Sequence, residues 1–318
     1  MKVVARNRMK GMIMVVTGAG LWGISGTVAQ QLFQQVNIST EWLVTVRLLI
    51  SGMILLLLSS CSPNRYQIFG IWKHKNESIK ILLFGVLGML GVQYTYFASI
   101  NEGNAAVATL LQYLAPIFIT FYLIIKCKNI PTKKDAVSIL LALLGTFLLL
   151  TNGSTDNLTV SKPAIIWGIL SGLSLAFYTL YSKGLLEKWA SSIVVGWGMI
   201  IGGIGLTILH FISTKKFVLL ARIENVTLEA FLLIGFVVIF GTLIAFYLYL
   251  ESIRYITPKE TSLLGCTEPL AAIITSVLFL HVPFGFFQSV GTLSVLIMVF
   301  LLSQKPSPSE KQSNIIDS

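Results

Sequence analysis

Charge is scarce in this chain. Asp, Glu, Lys and Arg together make up 11% of its 318 residues, where a soluble domain carries about 25%. A shortage of that size excludes a water-soluble surface. Cysteine is scarce too: Cys61, Cys127 and Cys266 are too few and too scattered for a disulfide framework or a metal site. The three histidines show no metal-ligand spacing. No GxxxxGK[ST] loop is present, so nothing points to an ATP-driven step, and no cofactor is expected. HxxxD and DDxxD patterns are also missing, which argues against a membrane-embedded transferase.

Hydrophobic residues, by contrast, make up 55% of the chain. Apolar runs of roughly 18 to 25 residues recur along it, the length a helix needs to cross a bilayer core of about 30 Å. The sequence therefore predicts an all-α integral membrane protein. Ten transmembrane helices are expected at 11–32, 40–59, 79–100, 104–126, 135–151, 163–183, 191–211, 229–252, 261–280 and 284–303. The basic opening MKVVARNRMK and the apolar stretch after it have the look of a signal peptide, but the apolar run continues past Trp22 and further spans follow, so no cleavage is expected. The tail from Gln304 is polar and rich in Pro and Ser, and is expected to be disordered.

Lys and Arg fix the expected orientation. With the N-terminus in the cytoplasm, 18 of the 23 fall on the inner side, 4 on the outer side, and Arg47 within a span. That bias predicts both termini inside. It also explains the net charge of +10 without nucleic acid as a partner. The expected partners are the lipid bilayer and a small-molecule substrate, with the protein acting as a monomer or homodimer in the cell membrane.

The chain repeats itself. Leu110–Thr120 (LLQYLAPIFIT) lies over Leu263–Ile273 (LLGCTEPLAAI), with Pro116 on Pro269 at an offset of 153 residues. The same offset pairs Gly88 with Gly241, Tyr94 with Tyr247 and Ser99 with Ser252. A slightly shorter one pairs Gly145-Thr146 with Gly291-Thr292. The expected organisation is a cytoplasmic N-terminus (1–10), a five-helix unit (11–152), a second five-helix unit (163–303) and the tail (304–318). Because five is odd, the second unit starts from the opposite side of the membrane. Inverted repeats place a substrate site at their interface near mid-membrane, where helices are interrupted.

Leu21-Trp22-Gly23, Arg47-Leu48-Leu49, the Ala-Pro-Ile at 115–117, the Glu-Pro-Leu at 268–270 and the twofold five-helix repeat together resemble the drug/metabolite transporter superfamily in its EamA-type branch. The resemblance covers nearly the whole chain. It implies an inverted-repeat exporter with a central cavity lined by spans 1, 3, 4, 6, 8 and 9. Many relatives carry a Glu just after spans 4 and 9; here Ile-Ile-Lys-Cys-Lys and Leu-His-Val-Pro stand there instead.

Glu268 heads the candidates for the transport path. An acid within a span is tolerated only when it faces a cavity or a partner, so it is read as a proton carrier, a contact for a substrate amine, or a structural hydrogen bond. Pro116 and Pro269 each free a backbone carbonyl, and are expected to distort their helices toward a shared cavity. Arg47 could take a substrate carboxylate, snorkel outward, or pair with an acid such as Glu41. Gln93 and Gln112 are amides placed to bond across helices or to contact substrate. Trp22, Tyr94, Tyr113, Tyr178, Tyr181 and Tyr247 supply aromatic walls suited to apolar or aromatic amino acids and cations, or else pack against lipid and neighbouring helices. The function expected is secondary transport, with export of small metabolites (amino acids or similar) or toxic compounds. Uptake is the alternative, and a channel or receptor would be marked by flux that does not saturate.

Overall fold

The computed structural model describes residues 2–127, 133–154, 158–218, 227–252, 255–256 and 264–303. The tail from Gln304, most of the 253–260 connection and the start of the ninth expected span (261–263) lie outside the described residues.

The described residues are helical throughout, without strands. The main elements are α1 (Lys2–Val36), α2 (Thr40–Ser60), α3 (Gln67–Gly70), α4 (Lys75–Leu83), α5 (Gly91–Glu102), α6 (Ala105–Gln112), α7 (Ala115–Cys127), α8 (Lys133–Thr151) and α9 (Lys162–Leu186). They continue with α10 (Ser191–Thr214), α11 (Leu228–Val238), α12 (Ala245–Ser252), α13 (Thr267–Leu280) and α14 (Phe286–Ser303). Short polar side chains start several of them. Ser39, Asn104, Ser161 and Thr227 each accept from a backbone amide in the first turn of α2, α6, α9 and α11, which satisfies a donor the helix itself leaves open. Asn37, Lys215 and His281 adopt positive φ just past α1, α10 and α13 and stop them.

Seven helical stretches are long and apolar enough to cross a membrane: Arg8–Val36, Thr40–Ser60, Lys75–Glu102, Ala105–Lys126, Lys162–Leu186, Ser191–Thr214 and Leu228–Tyr249. Three shorter apolar helices, Asp135–Thr151, Thr267–Leu280 and Phe286–Leu301, lie where the other three spans were expected. Thr267–Leu280 is short because a turn at Cys266 precedes it and the positive φ of His281 ends it. Large apolar side chains such as Leu57, Leu140, Leu143, Phe231 and Phe279 point outward, which suits hydrocarbon and not water.

The packing is paired. α2 packs on α10, and α8 on α14. α1 packs on α12 and α13, while α9 packs on α5 and α6. The α8–α14 seam closes on the matched glycines: a Cβ on Gly145 would meet the Gly291 carbonyl, and a Cβ on Gly291 the Gly145 carbonyl. Small residues let helix backbones approach this closely in a membrane. On the α1–α13 seam a hydroxyl pair adds to the packing, with Thr27 Oγ1 2.7 Å from Thr275 Oγ1.

Two stretches of π-helix interrupt this order, at Phe84–Leu90 between α4 and α5 and at Ile239–Ile244 between α11 and α12. They hold Gly88 and Gly241, the pair matched by the repeat. A π turn adds a residue to the helical turn and rotates everything after it; such turns are common at functional sites.

Candidate functional site: a central cavity with an acid in its wall

A cavity of about 530 Å³ lies at the centre of the bundle. Its lining comes from α1, α2, α5, α6, α7, α9, α10, α12, α13 and α14 and the first π stretch. At one end it reaches Thr179 and Leu186 on α9, both exposed. At the other it stops against Arg47, Tyr96 and Phe97, all buried. The exposed lining residues therefore lie toward the end where α9 runs into α10, and the opposite end is closed by buried side chains.

Two helix breaks shape its wall. Tyr113 and Leu114 form a turn between α6 and α7, just before Pro116. Cys266 forms a turn between Leu264-Gly265 and α13, just before Pro269. Proline lacks the N–H that would have bonded the carbonyl four residues back, and for Pro269 that carbonyl belongs to Gly265. The structure gives it a substitute: the Tyr113 hydroxyl donates to Gly265 O at 2.6 Å. The break in one half of the chain thus supplies the side chain that repairs the break in the other.

Glu268 sits in the first turn of α13 and lines the cavity. Its Oε2 lies 3.2 Å from the same Tyr113 hydroxyl. That hydroxyl carries one proton and has two acceptors in reach. Among these three groups, every hydrogen bond is made at once when Glu268 is protonated and donates to Tyr113 while Tyr113 donates to Gly265. When Glu268 is ionised, either the carboxylate or the carbonyl goes short.

Of the residues expected to form the path, Trp22, Arg47, Gln93, Gln112, Tyr113, Pro116, Tyr178 and Glu268 line this cavity. Gln112 is braced by the Ser171 hydroxyl at 2.7 Å. Pro269, Tyr94, Tyr181 and Tyr247 are not among the lining residues. Pro269 is buried beside the cavity and acts on it through the Gly265 carbonyl. The Tyr94 hydroxyl donates to Glu41 at 3.0 Å, and its ring meets Trp167. Glu41 is thereby taken, and the expected Arg47–Glu41 pair does not form. Tyr181 stacks on Phe177 with ring centroids 5.0 Å apart. Tyr247 points out of the bundle and is 54% exposed.

The residues sequence reasoning passed over are Tyr96, Phe97, Phe246 and Tyr249, all on the lining. Trp22 packs between Phe246 and Tyr249, with both centroid distances 4.9 Å. A signal for them existed. The offset that pairs Tyr94 with Tyr247 also pairs Tyr96 with Tyr249, and Gln93 with Phe246. Choosing between these sets needs the helical rotation, and the π stretches ahead of α5 and α12 shift that rotation. Among the described residues, no group of three or more His, Cys, Asp or Glu is placed to hold a metal ion.

The profile of the EamA-like transporter family matches this sequence twice, over residues 9–151 and 162–304. The chain belongs to the EamA-like transporter family. It is 36% identical over 296 residues to an uncharacterized inner membrane transporter of Salmonella typhimurium, YicL, covering 92% of this chain and 95% of that one. It is 27% identical to the uncharacterized transporter YwfM of Bacillus subtilis, covering 86% and 87%. An uncharacterized transporter of Methanothermobacter thermautotrophicus is 24% identical, covering 93% and 86%. A solved crystal structure shares the fold with a TM-score of 0.61 at 14% identity, covering 92% of this chain and 95% of that one. This EamA-like protein is a multi-pass transporter of the plasma membrane.

Proposed function

We propose that this EamA-like protein is a secondary exporter of small metabolites, amino acids or compounds of similar size, that works by alternating access. In this reading ten helices form two five-helix units of opposite orientation, with both termini in the cytoplasm. The end of the cavity with the exposed lining residues then faces the cytoplasm, as an exporter loading its cargo requires. The protein moves its substrate and does not transform it.

The observation that carries this reading is the Glu268–Tyr113–Gly265 cluster. It places the one acid among the described residues that line the cavity on a helix break, next to the side chain that spans the two halves. Discontinuous helices at a repeat interface are where transporters of this kind bind substrate and coupling ions. The mean of closing and opening is the rocking of one unit against the other along seams such as α1–α13 and α8–α14.

The test is a substrate-panel assay in inverted vesicles, with and without a proton gradient. Labelled amino acids and amphipathic cations are offered at the cytoplasmic face, now outward. The expected result is saturable accumulation of at least one class, steepened by the gradient. Accumulation only in right-side-out vesicles would replace export by uptake, and flux linear in concentration would make the protein a channel.

A further inference from the structure

The closed end of the cavity holds a positive charge with no counter-ion among the described residues. Arg47 lies well inside α2, is 2% exposed and forms part of the cavity lining. Its Nε donates to Thr242 Oγ1 at 3.0 Å. Thr242 in turn donates to the carbonyl of Val237, across the second π stretch. The guanidinium lies over the Phe97 ring, 4.2 Å from its centroid. These contacts hold the group in place without neutralising it. Nη1 is buried and has no hydrogen-bond partner among the described residues, and none of their carboxylates pairs with Arg47.

A charged donor left unsatisfied in a low-dielectric interior is costly. An arginine kept in that condition, immobilised by a threonine and a ring, is prepared for an acceptor from outside the protein. Its planar fork matches the two oxygens of a carboxylate, as it does those of a phosphate. Gln93 also lines the cavity, one helical turn before Phe97 on the same face of α5. Among the described residues nothing bonds its side-chain amide, so its N–H groups remain as neutral donors beside the same end.

We propose that Arg47 is the anion anchor of the cavity and that the transported compounds carry a carboxylate, which docks between Arg47 and Gln93. The apolar body of such a compound lies along Phe97, Tyr96 and Trp22, toward Glu268. The proposal rests on the transport reading for its purpose, since it assigns the chemical class of what that cavity holds. Docking completes the Nη1 hydrogen bonding and neutralises the cation at the closed end.

Equilibrium binding to purified protein in nanodiscs tests this without requiring flux. Three probes share a phenyl body: hydrocinnamate carries a carboxylate, phenethylamine an amine, and phenylalanine both. Wild type is expected to bind hydrocinnamate and phenylalanine. Arg47→Gln is expected to lose about tenfold or more in affinity for both, because a charged hydrogen bond is removed, while phenethylamine binds as before. Arg47→Lys keeps the charge without the fork and is expected to fall between; it also serves if the Gln variant does not fold. Carboxylate binding unchanged in both variants would overturn the proposal. So would an equal loss for all three probes, which would make Arg47 a structural residue, or failure of wild type to bind either carboxylate. Selective binding without flux in vesicles would instead count against the transport reading and leave the anchor standing.

Discussion

Glu268→Gln is expected to insert and fold normally and to lose the proton-dependent part of transport. The substitution keeps the shape of the side chain and most of its hydrogen bonding. What it removes is ionisation. In the wild type the Tyr113 hydroxyl has to serve Gly265 at 2.6 Å and Glu268 at 3.2 Å with a single proton. Protonated Glu268 resolves that conflict by donating; ionised Glu268 reopens it and turns toward a cation. The glutamine amide always donates, so the variant is held in the satisfied arrangement. Hydrogen bonds to charged groups contribute about 1.5–3 kcal/mol, and each 1.4 kcal/mol is about tenfold. The expected fall in flux is therefore about 10- to 100-fold, with a pH profile that becomes flat. A companion variant, Tyr113→Phe, leaves the Gly265 carbonyl without its substitute donor and is expected to weaken both transport and thermal stability. Rates and pH dependence equal to wild type in Glu268→Gln, at matched expression, would reduce Glu268 to a packing residue.

The second large effect concerns the seam that carries this site. Gly23→Ala is expected to destabilise the protein, and Gly20→Ala, three residues earlier on the same helix, is not. A Cβ on Gly23 would run into the Glu268 carbonyl and the Ala272 amide of α13. Both are backbone atoms, so α1 and α13 have to move apart, and overpacking of this kind costs about 1–3 kcal/mol. At Gly20 the nearest atom to an added Cβ is Thr267 Cγ2 at 4.0 Å. There the methyl group fits, and replacing Gly by Ala within a helix gains about 0.5–1 kcal/mol. Melting curves in detergent should move in opposite directions for the two variants. The Gly23 variant should also show reduced flux, because its clash falls on the residue that carries the carboxylate. Equal melting temperatures would mean that α1 and α13 do not pack as described.

The two candidate sites differ in how far the sequence exposes them. The Glu-Pro and Ala-Pro breaks are legible because their chemistry is local: a proline cannot donate, and an acid inside an apolar run needs a partner. The repeat is legible because Gly88 and Gly241, or Pro116 and Pro269, recur at one offset. The choice between Tyr94 and Tyr96, or Tyr247 and Tyr249, is not legible. It depends on two π stretches whose residues, FGVLGML and IFGTLI, give no compositional sign of the extra residue per turn. Arg47 shows the same limit. Its depth within α2 is plain from the sequence, but its partners, Thr242 and Phe97, come from elements 195 and 50 residues away. The Tyr113–Gly265 bond, 152 residues apart in sequence, is likewise a product of the packing of the two halves and of no local pattern.

The central claim is that two units of opposite orientation enclose the cavity. Asymmetric labelling of two single cysteines tests it most directly. One replaces Asn101, exposed in the last turn of α5, next to the hairpin that leads to α6. The other replaces Thr257, at the corresponding connection of the second half. Cys61, Cys127 and Cys266 are first removed. With a membrane-impermeant thiol reagent on intact cells and on inverted vesicles, Asn101→Cys should label only from outside and Thr257→Cys only from the cytoplasmic face. Labelling of both from the same side would contradict the inverted arrangement, and with it the placement of the cavity between two opposed halves.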